Sequence, residues 1–128
     1  MKKLLPDFKA AWLIALRSGD IPQAHNVLKS SYGMCCLGVA CDVQNKANPN
    51  FWQRYGVTPD FVTANGNISY PGPGDVDIHT YEVFQQEFHP DGFNEPIPVA
   101  SFLATHNDGD TSDKWSFEEI AQWIEENL

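Results

Sequence analysis

Apolar residues recur at steps of three and four near both ends of the chain, as in helices that lie on a core. Near the amino terminus this pattern predicts a helix over residues 6–18, ended by Gly19. Near the carboxyl terminus Ser116 and Glu119 have the spacing of a capping box, and an apolar stripe follows over residues 117–128. We therefore expect both end helices to belong to one core.

Two further segments in the first third of the chain also predict helices. Pro22 can begin a short helix that runs through Leu28, and residues 34–43 are apolar on nearly every side, which indicates a buried helix. Gly38 lies inside this second segment, where glycine costs about 1 kcal/mol relative to alanine. The glycine therefore indicates that another element packs closely against the helix.

Residues 45–98 consist of short apolar pieces separated by turn sequences, a texture typical of short strands. Residues 61–70 predict a hairpin with its turn at Asn65-Gly66, and residues 76–84 alternate enough to predict a further strand. A short helix is predicted over residues 99–106. Together the patterns predict an α+β fold, with helices from both chain ends packed around a small irregular antiparallel sheet.

Length and composition fit one domain over residues 1–128, because 42% hydrophobic residues in a chain of this size can form a real core. No apolar run approaches the roughly 20 residues that cross a bilayer, and charges interrupt the amino-terminal stretch, unlike a signal peptide. We therefore expect a soluble, cytoplasmic protein without a membrane partner. Nothing in the pattern indicates an oligomeric state.

The net charge of −9 is concentrated in one part of the chain. Residues 75–128 contain one lysine and thirteen acidic residues, whereas residues 1–30 contain five basic and two acidic residues. An acidic half repels a phosphate backbone, so we expect no nucleic-acid binding. The acidic half is interpreted either as a solvated face or as a surface that meets a basic partner or imitates the charge of nucleic acid.

All three cysteines, Cys35, Cys36 and Cys41, lie within seven positions. A disulfide between the adjacent pair is disfavoured, because their Cα atoms would be about 3.8 Å apart and disulfides usually need at least about 4.4 Å. The spacing also lacks the CxxC pattern that lets two thiolates converge on zinc, so we expect no metal and no cofactor here.

Two interpretations of the cysteines remain. They are small buried hydrophobic residues, or Cys35 or Cys36 is a nucleophile at the first turn of a helix, where the dipole lowers the pKa of a thiol. A nucleophile also needs a base, for which His79, His89 and His106 are candidates.

Two polar groupings are candidate binding sites. Residues 108–119 resemble an EF-hand loop, but Asp113 stands at the glycine position and Lys114 lies beside it, so we expect no calcium. The candidate ligand-binding set consists of polar residues at the predicted helix ends. The same residues could instead form a hydrogen-bonded network between helices. The set is Arg17, Gln23, Asp42, Asn107 and Asp108.

Several motifs resemble a family of small uncharacterised proteins carried by tailed phages and bacterial prophages. They are ALRSG at residues 15–19, CCLGVACD at 35–42, and NDG at 107–109 followed by SFEEIAQWIE at 116–125. Typical members read ALRSG, CCLGVLCD and LNDSG followed by SFxEIAxxIE, and the resemblance covers the first 43 and the last 22 residues of this chain. His106 stands where the family often has leucine, which disfavours it as a catalytic base.

The resemblance implies a phage or prophage origin and carries no known reaction. The sequence also lacks a phosphate-binding glycine loop and a nucleophile elbow. These features favour a non-enzymatic accessory protein that binds a host protein or a small-molecule ligand in the bacterial cytoplasm. Counteracting host defence is one purpose that the resemblance suggests. The alternative is a cysteine-dependent hydrolase or transferase that uses Cys35 or Cys36.

Overall fold

This computed structural model describes residues 1–55, 71–109 and 114–128. The regular structure of these residues consists of five α-helices, one pair of short strands and a short 3-10 helix at Phe51–Tyr55. The helices are α1 (Pro6–Arg17), α2 (Cys36–Gln44), α3 (Ile78–Gln85), α4 (Val99–Asp108) and α5 (Phe117–Asn127), and the strands are β1 (Glu87–Phe88) and β2 (Ile97–Pro98).

The fold is α+β, as the sequence predicts. The two strands pair antiparallel, with Glu87 opposite Pro98, and α1 packs against both α2 and α5. Helix α4 contacts α2, α3 and α5. The two ends of the chain also meet directly, because the backbone N–H of Leu4 donates to the carbonyl oxygen of Leu128 at 2.9 Å.

Helix α2 is the most deeply buried helix of this arrangement, with every residue from Cys36 to Cys41 buried. The indole N–H of Trp12 in α1 donates to the carbonyl oxygen of Cys36 at 3.0 Å. A Cβ atom added at Gly38 would lie 1.9 Å from the carbonyl oxygen of Leu28. The close approach that a glycine inside this helix predicts is therefore confirmed.

The predicted helix from Pro22 to Leu28 is wrong. This segment runs beside the chain leading into α2, with hydrogen bonds from the N–H of Ala24 to the oxygen of Met34 (2.8 Å) and from the N–H of Met34 to the oxygen of Pro22 (3.0 Å). Asn26 has φ 67°, in the left-handed region, so the helix that Pro22 could begin cannot continue.

The predicted strand over residues 76–84 is also wrong, because most of this segment is helix α3. The Asp77 carboxylate accepts the backbone N–H of Thr80 at 2.8 Å and caps the helix. The buried residues are Thr80, Val83 and Phe84, whose spacing of three and four residues is that of a helix. The predicted hairpin over residues 61–70 lies outside the described residues.

The two helices predicted at the end of the chain are confirmed. Helix α4 begins directly after Pro98, and α5 begins with the capping box. In this box the hydroxyl of Ser116 accepts the N–H of Glu119 at 3.2 Å, and the Glu119 carboxylate accepts the N–H of Ser116 at 3.1 Å. No helix in the described part of the chain is both long enough and apolar enough to cross a membrane.

Candidate functional site

The thiols proposed as nucleophiles lie at the start of α2, where the sequence predicts them. Cys35 is the N-cap residue, and its sulfur accepts the backbone N–H of Gly38 at 3.4 Å. The Cys36 thiol donates to the carbonyl oxygen of Leu103 in α4 at 3.9 Å. Cys35 is 3% exposed and Cys36 is fully buried, so both thiols make protein contacts in the core.

Burial determines the ionisation of these thiols. Desolvation raises the pKa of Cys35 to about 12 and raises the pKa of Cys36 well above its ordinary value, and the negative charge of Asp108 adds to both shifts. Desolvation likewise raises the pKa of Cys41. The thiolate is the nucleophilic form of cysteine, so this environment keeps all three sulfurs in the unreactive form at neutral pH.

Asn107, at the end of α4, is the centre of a buried polar network and is fully buried. Its side-chain oxygen accepts the amide of Gln23 at 2.9 Å and the backbone N–H of Cys36 at 3.1 Å. Its side-chain NH₂ donates to the oxygen of Ala24 at 2.9 Å and to the Asp108 carboxylate at 2.8 Å. All four hydrogen-bonding positions of the amide are therefore filled by protein groups.

The same network fixes the irregular segment before α2. The Asp108 carboxylate also accepts the backbone N–H of Asn26 at 2.8 Å, at the residue with the left-handed backbone. The ring N–H of His25 donates to the carbonyl oxygen of Asn107 at 2.8 Å. Gln23, Asn107 and Asp108 thus come together as a connection between elements, which favours the network interpretation of these residues.

Arg17 and Asp42, from the same predicted set, make their contacts elsewhere. Arg17 contacts Glu125 at 2.7 Å and Glu118 at 3.2 Å, so it joins α1 to α5 on the surface. The hydrogen bond to Glu125 raises the pKa of Arg17. The Asp42 carboxylate accepts the indole N–H of Trp52 at 3.0 Å. The contacts of Arg17 and Asp42 are thus separate from the network around Asn107.

A cleft of about 570 Å³ opens beside α4, between the segment that joins the two strands and α5. We call it the aromatic cleft, because seven of the residues that line it have aromatic rings. Those seven residues are Phe88, His89, Phe93, Phe102, His106, Trp115 and Trp123, and the others include Asp91, Thr105 and Asn127. Clefts that hold small molecules commonly have volumes of about 300 to 1,000 Å³.

Phe102 is the buried centre of this aromatic wall. Its ring centroid lies 5.2 Å from that of Phe88 and 4.8 Å from that of Trp123, with the rings tilted or edge to face. His106 stacks on Trp115 with centroids 3.8 Å apart and planes 12° apart. The backbone N–H of Trp115 donates to the oxygen of His106 at 2.7 Å, which holds the stacked pair against α4.

The three histidines proposed as bases have different surroundings. His106 lines the aromatic cleft, whose described lining includes no cysteine. His79 contacts the oxygen of Lys3 at 2.8 Å, and His89 contacts the oxygen of Phe93 at 2.6 Å. Among the described residues, no three His, Cys, Asp or Glu side chains come together as a metal site requires.

Sequence reasoning did not find the aromatic cleft, because its residues come from four separate segments between 88 and 127. Those that belong to helices with a readable periodicity lie in α4 and α5, and the rest lie in connecting segments or at the short strand β1. One usable signal was present, since Phe93 and Trp115 are large aromatic residues in segments that otherwise consist of polar and turn-forming residues.

The fold and these contacts define a small α+β protein with buried cysteines and an aromatic cleft beside α4. The chain belongs to the family described as Domain of unknown function (DUF8296), whose model matches residues 4–128. No curated protein and no solved structure matches the chain.

Proposed function

We propose that the chain is a phage or prophage accessory protein that acts in the bacterial cytoplasm by binding a small ligand without converting it. The observation that carries this proposal is the aromatic cleft. Its rings are only partly covered: Phe88, Phe93, Trp115 and Trp123 are half-buried. Large aromatic side chains at the edge of a cavity supply much contact area at a low cost in conformational entropy.

The environment of the thiols supports binding over turnover. A cysteine enzyme needs a thiolate that substrate can reach, whereas Cys35 and Cys36 are buried and burial raises the pKa of both thiols. The motifs of the sequence support the phage origin. Sequestration of a host metabolite or signalling compound is consistent with a role against host defence. The volume of the cleft suits a small molecule better than it suits the surface of a partner protein.

The proposal can be tested with a small-molecule extract of bacteria infected with a tailed phage. The protein is incubated with the extract, washed and heated, and the released compounds are identified and quantified by mass spectrometry. We expect one intact compound in an amount stoichiometric with the chain. Phe93→Ala and Trp115→Ala should each retain less than about a tenth of it, because each removes a ring from the wall of the cleft.

Tyr32→Ala is the matched control, because Tyr32 is an aromatic residue 63% exposed and outside the cleft, and this variant should retain the ligand fully. Far-UV circular dichroism checks that each variant is folded. If no compound is recovered, the binding proposal is wrong. If a compound is consumed in many-fold excess and Cys35→Ser or Cys36→Ser abolishes its consumption, the protein is a cysteine-dependent enzyme.

A further inference from the structure

The charges around the aromatic cleft indicate which ligands it accepts. Among its described lining residues, Asp91 is the only aspartate or glutamate, and none is lysine or arginine. Every lining residue belongs to the part of the chain, residues 75–128, that contains thirteen acidic residues and one lysine. An anionic ligand would meet no lysine or arginine partner in this lining and would face the Asp91 carboxylate.

The arrangement of the rings adds a second, independent argument. The face of an aromatic ring is electrostatically negative and attracts a cation placed over it, most strongly for tryptophan. The ring of Trp123 is inclined at 42° to that of Phe102, and the ring of Trp115 at 82° to it. Rings held at such different angles around one cavity present a curved wall of faces and edges, which suits a rounded head group better than a flat one.

From these two observations we infer that the ligand of the aromatic cleft is a small organic cation with an alkylated ammonium head group. This inference rests on the proposed binding function. The aromatic wall would contact the alkyl groups, and the Asp91 carboxylate, which is exposed at the cleft, would attract the charge. Nucleotides and other phosphate compounds would find no lysine or arginine to pair with in the described lining.

The test compares two probes of the same shape and different charge. Choline contains a trimethylammonium group, and 3,3-dimethylbutan-1-ol is its uncharged carbon analogue. Binding is measured by NMR titration, following the ring signals of Trp115 and His106. We expect choline to bind at least about ten-fold more tightly than the alcohol, because the two differ in charge and hardly in shape. The anion 3,3-dimethylbutanoate should bind more weakly than either.

Two variants separate the contribution of the carboxylate from a general loss of charge. Asp91→Asn should weaken choline binding about three-fold or more and leave the alcohol unchanged, because only the cation interacts with the carboxylate. Asp20→Asn removes an exposed carboxylate next to α1, outside the cleft, and should change neither affinity. Phe93→Ala should weaken the binding of both probes.

The inference is overturned if choline fails to bind at about 10 mM or binds no more tightly than the alcohol, or if the anion binds best. The binding function is still supported if the bacterial extract yields a compound that binds the parent protein and does not bind the Trp115→Ala variant. That compound is then neutral or anionic. If the extract yields nothing as well, the binding function itself is wrong.

Discussion

Two opposing effects act on the thiols of Cys35 and Cys36. Their position at the first turn of α2 lowers the pKa through the helix dipole, by an interaction worth about 0.3–1 kcal/mol at such a site. Burial in the core acts in the other direction and is larger, since it raises the pKa of Cys35 to about 12. Position along a helix is therefore not enough to make a cysteine reactive.

Slow thiol labelling is the expected consequence. With the native protein at pH 7.5, a disulfide reagent should label no cysteine on a timescale of minutes, whereas all three should be labelled rapidly in denaturant, because only unfolding exposes them. Colour release from the reagent measures the rate. Rapid labelling of one native cysteine would contradict the structural role and would favour the nucleophile, and the matching Cys→Ser variant would identify it.

Among the polar side chains of the network, replacement of Asn107 should lower the free energy of unfolding the most. Asn107→Ala leaves the N–H of Cys36 and the oxygen of Ala24 without their partner, and each unsatisfied buried group costs about 1–3 kcal/mol. We therefore expect a loss of about 3 kcal/mol in the free energy of unfolding, measured by urea denaturation.

Asn127→Ala serves as the matched control, because its amide makes a local hydrogen bond to Trp123 within α5 and the residue is half-buried. Its cost should stay below about 1 kcal/mol. Equal losses for the two variants would show that the network does not stabilise the fold as described.

At the residue scale, sequence predicts the members of a polar set better than it predicts their partners. Gln23, Asn107 and Asp108 do come together, but Arg17 and Asp42 face other neighbours. The difference depends on which way each helix is rotated, and that follows from packing between distant segments.

At the scale of elements, the contact between α2 and the Leu28 backbone determines how the first third of the chain packs. Alanine normally stabilises a helix relative to glycine by about 1 kcal/mol. Gly38→Ala should nevertheless destabilise the protein by about 3 kcal/mol, because its Cβ would lie 1.9 Å from the oxygen of Leu28. Thermal and urea unfolding measure the change.

Gly19→Ala provides the comparison for Gly38→Ala. Gly19 has φ +77° and no heavy atom within 4 Å of an added Cβ, so this variant has backbone strain of about 1 kcal/mol without a clash. If Gly38→Ala is neutral or stabilising, the backbone of residue 28 is free to move away from α2.

Sequence patterns predict α1 and α5 from their apolar stripes, and they predict α2 and α4 from short segments rich in apolar residues. They fail for α3, where the alternation of residues 76–84 imitates a strand and the cap formed by Asp77 is the decisive feature. They also fail for residues 22–28, whose backbone forms hydrogen bonds with Met34 and Cys35 instead of within the segment. In both cases a few specific hydrogen bonds outweigh a weak local preference.

At the scale of the whole molecule, Trp12 joins three helices through one side chain. Its ring lies 5.5 Å from that of Phe84 in α3, and its N–H donates to Cys36 in α2. Trp12→Ala should therefore lower the free energy of unfolding by about 3–5 kcal/mol, through lost burial and a cavity. Ile14→Ala, on the same helix but 70% exposed, should change it by less than about 0.5 kcal/mol. Equal urea midpoints for the two variants would contradict this arrangement.

The hydrogen bond between Leu4 and Leu128 closes a loop of more than 100 residues. Helix α1 likewise packs against α5, so the apolar residues of α1 are covered only when two segments far apart in the sequence have met. Contacts of such large sequence separation form slowly relative to the local helices, because the entropy of loop closure is lost before the contacts stabilise the fold.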